Sequence, residues 1–180
     1  MINLIANRYA EALFQIGEEE NITTELHSEL KEVVNIIKVN REFYNILKAP
    51  FISKSEKKDL IEGVFAGKID NNLKNFLKIL VDKDRVTSLE AIQKCYKELL
   101  NEKNNLIEGV AITAIPMETK EIKELESKLS SKYNKNVTLN NIVDETVLGG
   151  VLVRLGNEEI DGTIKTRLSN MREQLSQVIS

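Results

Sequence analysis

Apolar residues recur every three to four positions from the start of the chain to about residue 105, which is the spacing of amphipathic helices. Residues that start or stop helices divide this stretch into six segments. Ser53 with Glu56 and Thr87 with Glu90 have the spacing of a capping box, and Asp70 can cap a further helix. The pattern therefore predicts six amphipathic helices that pack into a compact bundle.

The hydrophobic pattern changes after the polar segment Asn101–Asn105, which is typical of a linker. Alternating apolar residues, typical of strands, then mix with helical spacing. The predicted elements are a strand over residues 110–116, a helix over 118–132, two strands within 137–156 and a helix over 162–178. This β-α-β-β-α order leaves room for a short return strand at residues 158–160. We expect an α+β protein with a helical domain over residues 1–105 and a mixed domain over residues 106–180.

The most specific segment of the chain is Val137–Gly156, an apolar strand pattern that contains the pair Gly149-Gly150. In Val147–Leu155, apolar residues occupy both odd-numbered and even-numbered positions. Because successive side chains of a strand point to opposite faces, this pattern favours a strand that is covered on both faces. Two glycines inside such a strand indicate a bulge or a close approach of another backbone. Gly156-Asn157 can supply the positive φ angles of a tight corner.

Composition excludes several classes of protein. The chain is 42% hydrophobic and 29% charged with a net charge of −3, so it lacks the basic excess of a general nucleic-acid binder. No apolar run approaches the roughly 20 residues that span a bilayer, and the start of the chain does not read as a secretory signal. Its single cysteine, Cys95, agrees with a reducing compartment. We expect a cytoplasmic protein.

The residues that could carry chemistry do not form a persuasive active site. Gly63 to Lys68 resembles a phosphate-binding loop, but the glycine spacing is one residue short and Ile69 follows the lysine, so a helix end is favoured. His27, the single histidine, is interpreted as a surface residue, and Cys95 as structural. The pattern predicts no catalytic residue, no metal site and no cofactor.

Three segments together carry a resemblance to a known family. Val137–Gly156 is similar to the signature of the delta subunit of the rotary ATP synthase, called the oligomycin-sensitivity-conferring protein in mitochondria. Ala6–Phe14 resembles the first helix of that family, and Ile160–Leu168 resembles its last hairpin and final helix. Length and the order of elements fit over all 180 residues.

The resemblance implies a non-catalytic stator connector of the proton-translocating ATP synthase. Such a subunit links the top of the catalytic alpha-beta head to the peripheral stalk and resists the torque of the rotor. Its N-terminal bundle would bind N-terminal helices of the alpha subunits, and its C-terminal domain the C-terminal end of the b subunit. It would lie in the cytoplasm, peripheral to the inner face of the cell membrane through the complex, with no contact to nucleic acid and no membrane insertion.

Candidate partner-binding residues lie at the margins of the apolar helix stripes. Phe14, Phe76 and Ile79 sit off the centres of their stripes, and small Ala12 would let a partner helix approach closely. From the residues alone, ordinary core packing remains an equal alternative to a binding groove. The resemblance favours the groove and adds Tyr9 to it. For the C-terminal domain it implies a partner-binding or structural role for a further set of residues: Gly149, Gly150, Val151, Val153, Ile164 and Leu168.

A nucleic-acid or peptide-binding adaptor is the alternative from another class, since β-α-β-β-α units occur in RNA-binding modules. Such a module needs a basic face and aromatic side chains for stacking. The C-terminal domain offers one aromatic residue, Tyr133, and a set of basic residues: Arg154, Lys165, Arg167 and Arg172. An enzyme would have to show turnover or nucleotide binding by the isolated chain.

Overall fold

The computed structural model describes residues 2–156 and 158–179, with side chains described for residues 4–156 and 158–172. The chain divides into two compact units, Met1–Leu100 and Asn101–Ser180. Unit 1 is built from helices: α1 (Ile2–Glu19), α2 (Thr23–Val39), α3 (Arg41–Lys48), α4 (Lys54–Phe65), α5 (Asn71–Asp82), a 3-10 turn (Val86–Ser88) and most of α6 (Leu89–Lys103).

Two of the three predicted helix starts are confirmed. Ser53 and Glu56 form a reciprocal capping box at the start of α4, and the Asp70 carboxylate accepts a hydrogen bond from the amide of Asn72 at 2.7 Å. The predicted box of Thr87 with Glu90 is wrong. Thr87 lies within the 3-10 turn, and the Glu90 carboxylate accepts instead from Lys38 Nζ at 2.7 Å.

The core of unit 1 contains residues from every helix of the unit, and Tyr96 of α6 is one of them. This side chain is fully buried, and its hydroxyl donates to the carbonyl of Thr23 at 3.0 Å. Burial raises the pKa of Tyr96 to about 12, with Glu18 and Glu25 adding to the effect. Gly17 of α1 allows this packing, because a Cβ there would lie 3.0 Å from the Tyr96 hydroxyl.

The predicted linker Asn101–Asn105 is wrong for its first three residues, because α6 continues to Lys103. The chain turns only at Asn104 and Asn105, and Asn105 has φ +53°. Asparagine tolerates this left-handed conformation better than most residues, so the turn can be this short.

The described residues of unit 2 form a four-stranded sheet and two helices. The strands are β1 (Leu106–Thr113), β2 (Asn136–Val143), β3 (Val151–Leu155) and β4 (Glu158–Asp161), and the helices are α7 (Thr119–Tyr133) and α8 (Ile164–Ile179). The spatial order is β2-β1-β3-β4, with β1 parallel to β2 and the other pairs antiparallel. The order along the chain is therefore β-α-β-β-β-α, one strand more than the predicted β-α-β-β-α, because the residues allotted to a short return strand form β4.

Helix α7 covers one face of the sheet. The core between them consists of apolar residues from α7 and three strands: Ala111, Leu129, Val137, Leu139, Val153 and Leu155. Side chains of α7 also accept hydrogen bonds from two amides of edge strand β2, Ser130 from Val137 at 3.0 Å and Glu126 from Leu139 at 2.8 Å. These bonds satisfy donors that an edge strand would otherwise leave open to pairing with another chain.

The predicted strand Val147–Leu155 is wrong in its first half, and so is its expected cover on both faces. Strand β3 begins at Val151, and Leu148 is 81% exposed. Gly149 has φ +151° and Gly150 φ +82°, so the backbone leaves the strand conformation at the glycine pair. The glycines therefore precede the strand instead of interrupting it. Gly156 has the predicted positive φ, +56°, whereas Asn157 lies outside the described residues.

Candidate partner-binding surfaces

Helices α1 and α5 of unit 1 pack side by side and run in opposite directions. The ring of Tyr9 meets the ring of Phe76 edge-on with centroids 6.2 Å apart. Near the other end of α1, Glu20 accepts a hydrogen bond from Asn72 Nδ2 at 2.7 Å. Higher numbers on one helix thus pair with lower numbers on the other, which fixes the antiparallel arrangement.

The structure divides the predicted groove residues on this side into core and surface. Phe76 is 6% exposed and belongs to the core, so its expected place off the core stripe is wrong, while its contact with a partner stays a prediction. The buried face of α5 is wider than a simple stripe and takes in Phe76 beside Leu73 and Leu77. Tyr9 is half-buried, Ala12 is exposed, and Ile79 is 49% exposed one turn beyond Phe76.

Phe14 does not belong to the same surface. At 3.6 residues per turn it lies about 140° around α1 from Tyr9 and about 160° from Ala12. Its ring packs edge-on against Tyr96 of α6, with centroids 5.4 Å apart. The predicted grouping of Phe14 with Ala12 is therefore wrong, since these two residues face opposite sides of α1.

Two residues that the sequence analysis did not assign to the groove complete this surface. Ile5 and Ile16 are half-buried and share the side of α1 that carries Tyr9 and Ala12. Residues 5, 9, 12 and 16 follow a 4-3-4 spacing, next to the fully buried stripe of residues 6, 10, 13 and 17. The stripe of residues 5, 9, 12 and 16 is visible in the sequence and could have identified Ile5 and Ile16 as part of this surface. We call these four residues with Ile79 the α1/α5 surface.

In unit 2, the glycine pair lies against the start of α8. A Cβ on Gly150 would lie 2.5 Å from the carbonyl oxygen of Gly162 and 2.9 Å from Thr163 Cα. The carbonyl of Gly149 accepts from the amide of Ile164 at 3.0 Å. Gly150 is therefore required by the close approach of two backbones as well as by its positive φ.

The end of β4 is joined to the first turn of α8 by side-chain hydrogen bonds. The Asp161 carboxylate accepts from the amide of Thr163 at 2.8 Å and from the hydroxyl of Thr166 at 2.7 Å. The hydroxyl of Thr166 and the backbone and hydroxyl of Thr163 hold the pKa of Asp161 below its usual value. This segment is the Asp161-Thr163-Thr166 junction.

The remaining predicted residues of unit 2 divide into residues that pack in the sheet and residues that are exposed. Val153 is 2% exposed and Val151 is half-buried, so both serve the packing of the sheet. Ile164 and Leu168 are exposed on α8, at 48% and 61%. Unit 2 also exposes a set of other large apolar side chains: Ile115, Ile142, Val143, Leu148 and Met171. Of these exposed residues, Met171 lies on α8 together with Ile164 and Leu168.

The structure also gives the positions of the residues that could carry chemistry. Among the described residues, no group of three or more His, Cys, Asp or Glu side chains could hold a metal ion, and no helix is long and apolar enough to cross a membrane. Gly67, with φ +68°, directly follows Ala66, the C-cap residue of α4, as expected of a helix end. The prediction of His27 as a surface residue is corrected, because its ring is half-buried and parallel to that of Tyr96. Cys95 is half-buried, and burial raises the pKa of its thiol.

Comparisons with known proteins agree over the whole chain. The family profile described as ATP synthase delta (OSCP) subunit matches residues 5–175. The ATP synthase subunit delta of Clostridioides difficile (strain 630) is 65% identical over 181 residues, covering 100% of both chains. That of Alkaliphilus metalliredigens (strain QYMF) is 42% identical and covers 99% of both.

Solved structures share the fold. A chain of the Toxoplasma gondii mitochondrial ATP synthase hexamer superimposes with a TM-score of 0.69 at 23% identity, covering 94% of this chain and 96% of that one. A chain of the Polytomella F-ATP synthase superimposes with a TM-score of 0.51 at 21% identity, covering 54% of this chain and 88% of that one.

Proposed function

This chain belongs to the ATP synthase delta (OSCP) subunit family, and on that premise we propose that its two units bind two separate parts of the enzyme. It is a non-catalytic subunit of the F-type ATP synthase and acts as a stator connector. Unit 1, as the helical bundle, binds N-terminal helices of the alpha subunits in the catalytic head. Unit 2 binds the C-terminal end of the b subunit in the peripheral stalk, on the inner face of the cell membrane.

The observation that supports this proposal most strongly is that each unit exposes an apolar surface of its own. On unit 1 this is the α1/α5 surface, where exposed Ala12 leaves room for close approach of a helix beside half-buried Tyr9, and Ile79 adds an exposed apolar side chain on α5. An amphipathic helix places its apolar face into such a groove with anchors at helical spacing. The N-terminal helix of an alpha subunit is the occupant that the family supplies.

On unit 2 the apolar surface is the exposed stripe of α8, formed by Ile164, Leu168 and Met171 at positions i, i+4 and i+7. This stripe can pack against a partner helix in the manner of a coiled coil or helix bundle. The C-terminal end of the stalk b subunit is the proposed partner.

A connector must hold both partners while the rotor turns, so its contacts must dissociate slowly. Differences in affinity between related complexes lie mainly in the dissociation rate. Slow dissociation depends on well-desolvated apolar anchors. Two separate surfaces let the chain carry torque from head to stalk without any chemistry of its own. ATP synthesis at the catalytic sites then uses the resistance that this link supplies.

The nucleic-acid alternative finds less support in unit 2. Arg154 is paired with Glu159 at 2.7 Å, and Tyr133 donates its hydroxyl to Glu158 at 2.7 Å, so this part of the surface is not purely basic. Binding of single-stranded RNA by basic residues would weaken steeply with added salt. We expect no such salt-dependent RNA binding by the full chain.

Two peptides test the proposal with the full chain. One is the N-terminal helix of the alpha subunit and the other is the C-terminal segment of the b subunit, each labelled for fluorescence anisotropy. We expect both to bind saturably, and we expect saturation with one to leave the affinity for the other unchanged. Absence of binding by either peptide, or competition between them, would contradict the assignment of two separate surfaces.

A further inference from the structure

We propose that Asp161, Thr163, Thr166 and Gly150 are positioning residues that fix the direction in which α8 leaves the sheet. They bind no partner themselves. They hold the first turn of α8 to the end of the β3–β4 hairpin, so that the apolar stripe of the helix points in one direction before any partner arrives. The statement about direction stands on the geometry of unit 2 alone, and its consequence for stalk binding rests on the function proposed above.

The backbone provides the first attachment. Strands β3 and β4 pair from Leu155 with Glu158 to Leu152 with Asp161. Beyond the strands, the amide of Gly162 donates to the carbonyl of Val151 at 2.9 Å. The amide of Ile164, the first residue of α8, then donates to the carbonyl of Gly149. The ladder of the hairpin therefore continues into the helix start without a flexible connection.

The side chain of Asp161 provides the second attachment. One of its oxygens accepts from the amide of Thr163 and the other from the hydroxyl of Thr166, so a single carboxylate bridges the end of β4 and the first helical turn. The hydroxyl of Thr163 accepts from the amide of Thr166 at 3.4 Å and caps the helix. Because these bonds attach at different points around the turn, they restrict rotation of the helix as well as its displacement.

Side-chain packing along residues 164–172, the part of α8 whose side chains the structure describes, supplies little of this restriction. Among the α8 side chains that the structure describes, from Ile164 to Arg172, only that of Thr166 is less than exposed. The apolar residues Ile164, Leu168 and Met171 are each about half exposed or more. The orientation of this part of α8 therefore depends on its first turn. A helix already oriented in this way loses less conformational entropy when a partner binds, which favours affinity.

A distance measurement in the absence of any partner tests the proposal. Spin labels at exposed Lys128 of α7 and Asn170 of α8, in a Cys95→Ser background, report the direction of α8 relative to the sheet by pulsed dipolar spectroscopy. Thr166→Val removes the hydroxyl at nearly constant volume, and Thr166→Ser retains it as the matched control. Asp161→Ala removes the whole bridge.

We expect Thr166→Val and Asp161→Ala to broaden the distance distribution about twofold, since they release a local constraint, while Thr166→Ser keeps the width of the unsubstituted chain. Hydrogen exchange of β1 and β3 checks that unit 2 stays folded. If Asp161→Ala unfolds unit 2, the test rests on the comparison of Thr166→Val with Thr166→Ser. Equal widths for that pair would overturn the proposal, even if their melting temperatures differed.

Binding of the b-subunit peptide to the same variants separates this proposal from the function assigned to α8. A broadened distribution with weaker peptide binding supports both. A broadened distribution with unchanged binding supports the positioning role and contradicts the use of α8 as the stalk-binding surface.

Discussion

Replacing Gly150 with alanine adds one methyl group where the backbone of unit 2 closely approaches the start of α8. The new Cβ would lie 2.5 Å from the carbonyl oxygen of Gly162 and 2.9 Å from Thr163 Cα, and neither backbone atom can rotate away. The φ of +82° adds a conformational cost of about 1 kcal/mol or more for a residue with a Cβ. Overpacking adds about 1–3 kcal/mol. We therefore expect Gly150→Ala to lower the free energy of unfolding of unit 2 by about 3 kcal/mol.

Gly156→Ala is the matched control. Gly156 also has a positive φ, +56°, but a Cβ there would meet no atom within 4 Å. It carries the conformational cost without the steric one, so we expect a loss of only about 1 kcal/mol. The difference between the two variants isolates the close approach of the two backbones.

Hydrogen exchange of the full chain, followed by mass spectrometry, measures both losses in the same experiment. In Gly150→Ala, the most protected amides of β1 and β3 should exchange roughly a hundredfold faster, because about 1.4 kcal/mol corresponds to a factor of ten. Peptides from unit 1 provide the internal reference and should be unchanged. If Gly150→Ala destabilises unit 2 no more than Gly156→Ala does, the steric reasoning is refuted.

Three further predictions concern unit 1. A fragment of residues 1–105 should fold alone, because its buried residues form a cluster of their own, and circular dichroism should show cooperative urea unfolding. Tyr96→Phe should lower the free energy of unfolding by about 1 kcal/mol in the same assay, because it removes the hydrogen bond to Thr23. Glu62, whose pKa is lowered to about 2 by its hydrogen bonds to Lys78 and Lys74, should stabilise the fold above pH 4.5. Relative to Glu62→Gln, that stabilisation should disappear as the pH falls from 4.5 towards 2.

Each of these predictions has an outcome that would contradict it. An unfolded 1–105 fragment would refute the independence of unit 1. In the full chain, Tyr96→Phe should cost unit 1 more stability than Tyr133→Phe costs unit 2, because the hydroxyl of Tyr133 bonds to an exposed carboxylate, and the reverse order would show that the buried hydrogen bond contributes nothing. A stability difference between Glu62 and its glutamine variant that is constant from pH 6 to about pH 2 would show that the two lysines do not act through its charge.

Local sequence patterns were sufficient to predict most helices. They did not show which faces of those helices contact one another in the folded unit. The capping box at Ser53 and the cap at Asp70 were predictable because each depends on residues within one turn. Phe76 and Phe14 were misplaced for the opposite reason. Their burial depends on Tyr9 and Tyr96, which lie 67 and 82 residues away in the sequence and pack against them only in the folded unit.

The segment Val137–Gly156 also shows that local sequence patterns do not reveal contacts between distant residues. The sequence marks Gly149 and Gly150 as positions where a side chain cannot be accommodated, and that reading is correct for Gly150. It does not show what comes close, because the start of α8 lies more than ten residues further along the chain. Asp161 and Thr166 were not identified either. Their spacing from Thr163 is a helix-start pattern, which could have indicated the junction.

The most direct test of the stator connector is whether its two binding functions can be lost separately. Ile79→Glu places a charge in the α1/α5 surface and Leu168→Glu places one in the α8 stripe, while Val39→Glu, at a 73% exposed position elsewhere on unit 1, is the control. In anisotropy titrations, Ile79→Glu should weaken binding of the alpha-subunit peptide at least about tenfold and spare the b-subunit peptide. Leu168→Glu should do the reverse, and Val39→Glu should affect neither. Unweakened alpha binding by a folded Ile79→Glu chain, or loss of both partners in either single variant, would contradict the two-surface connector.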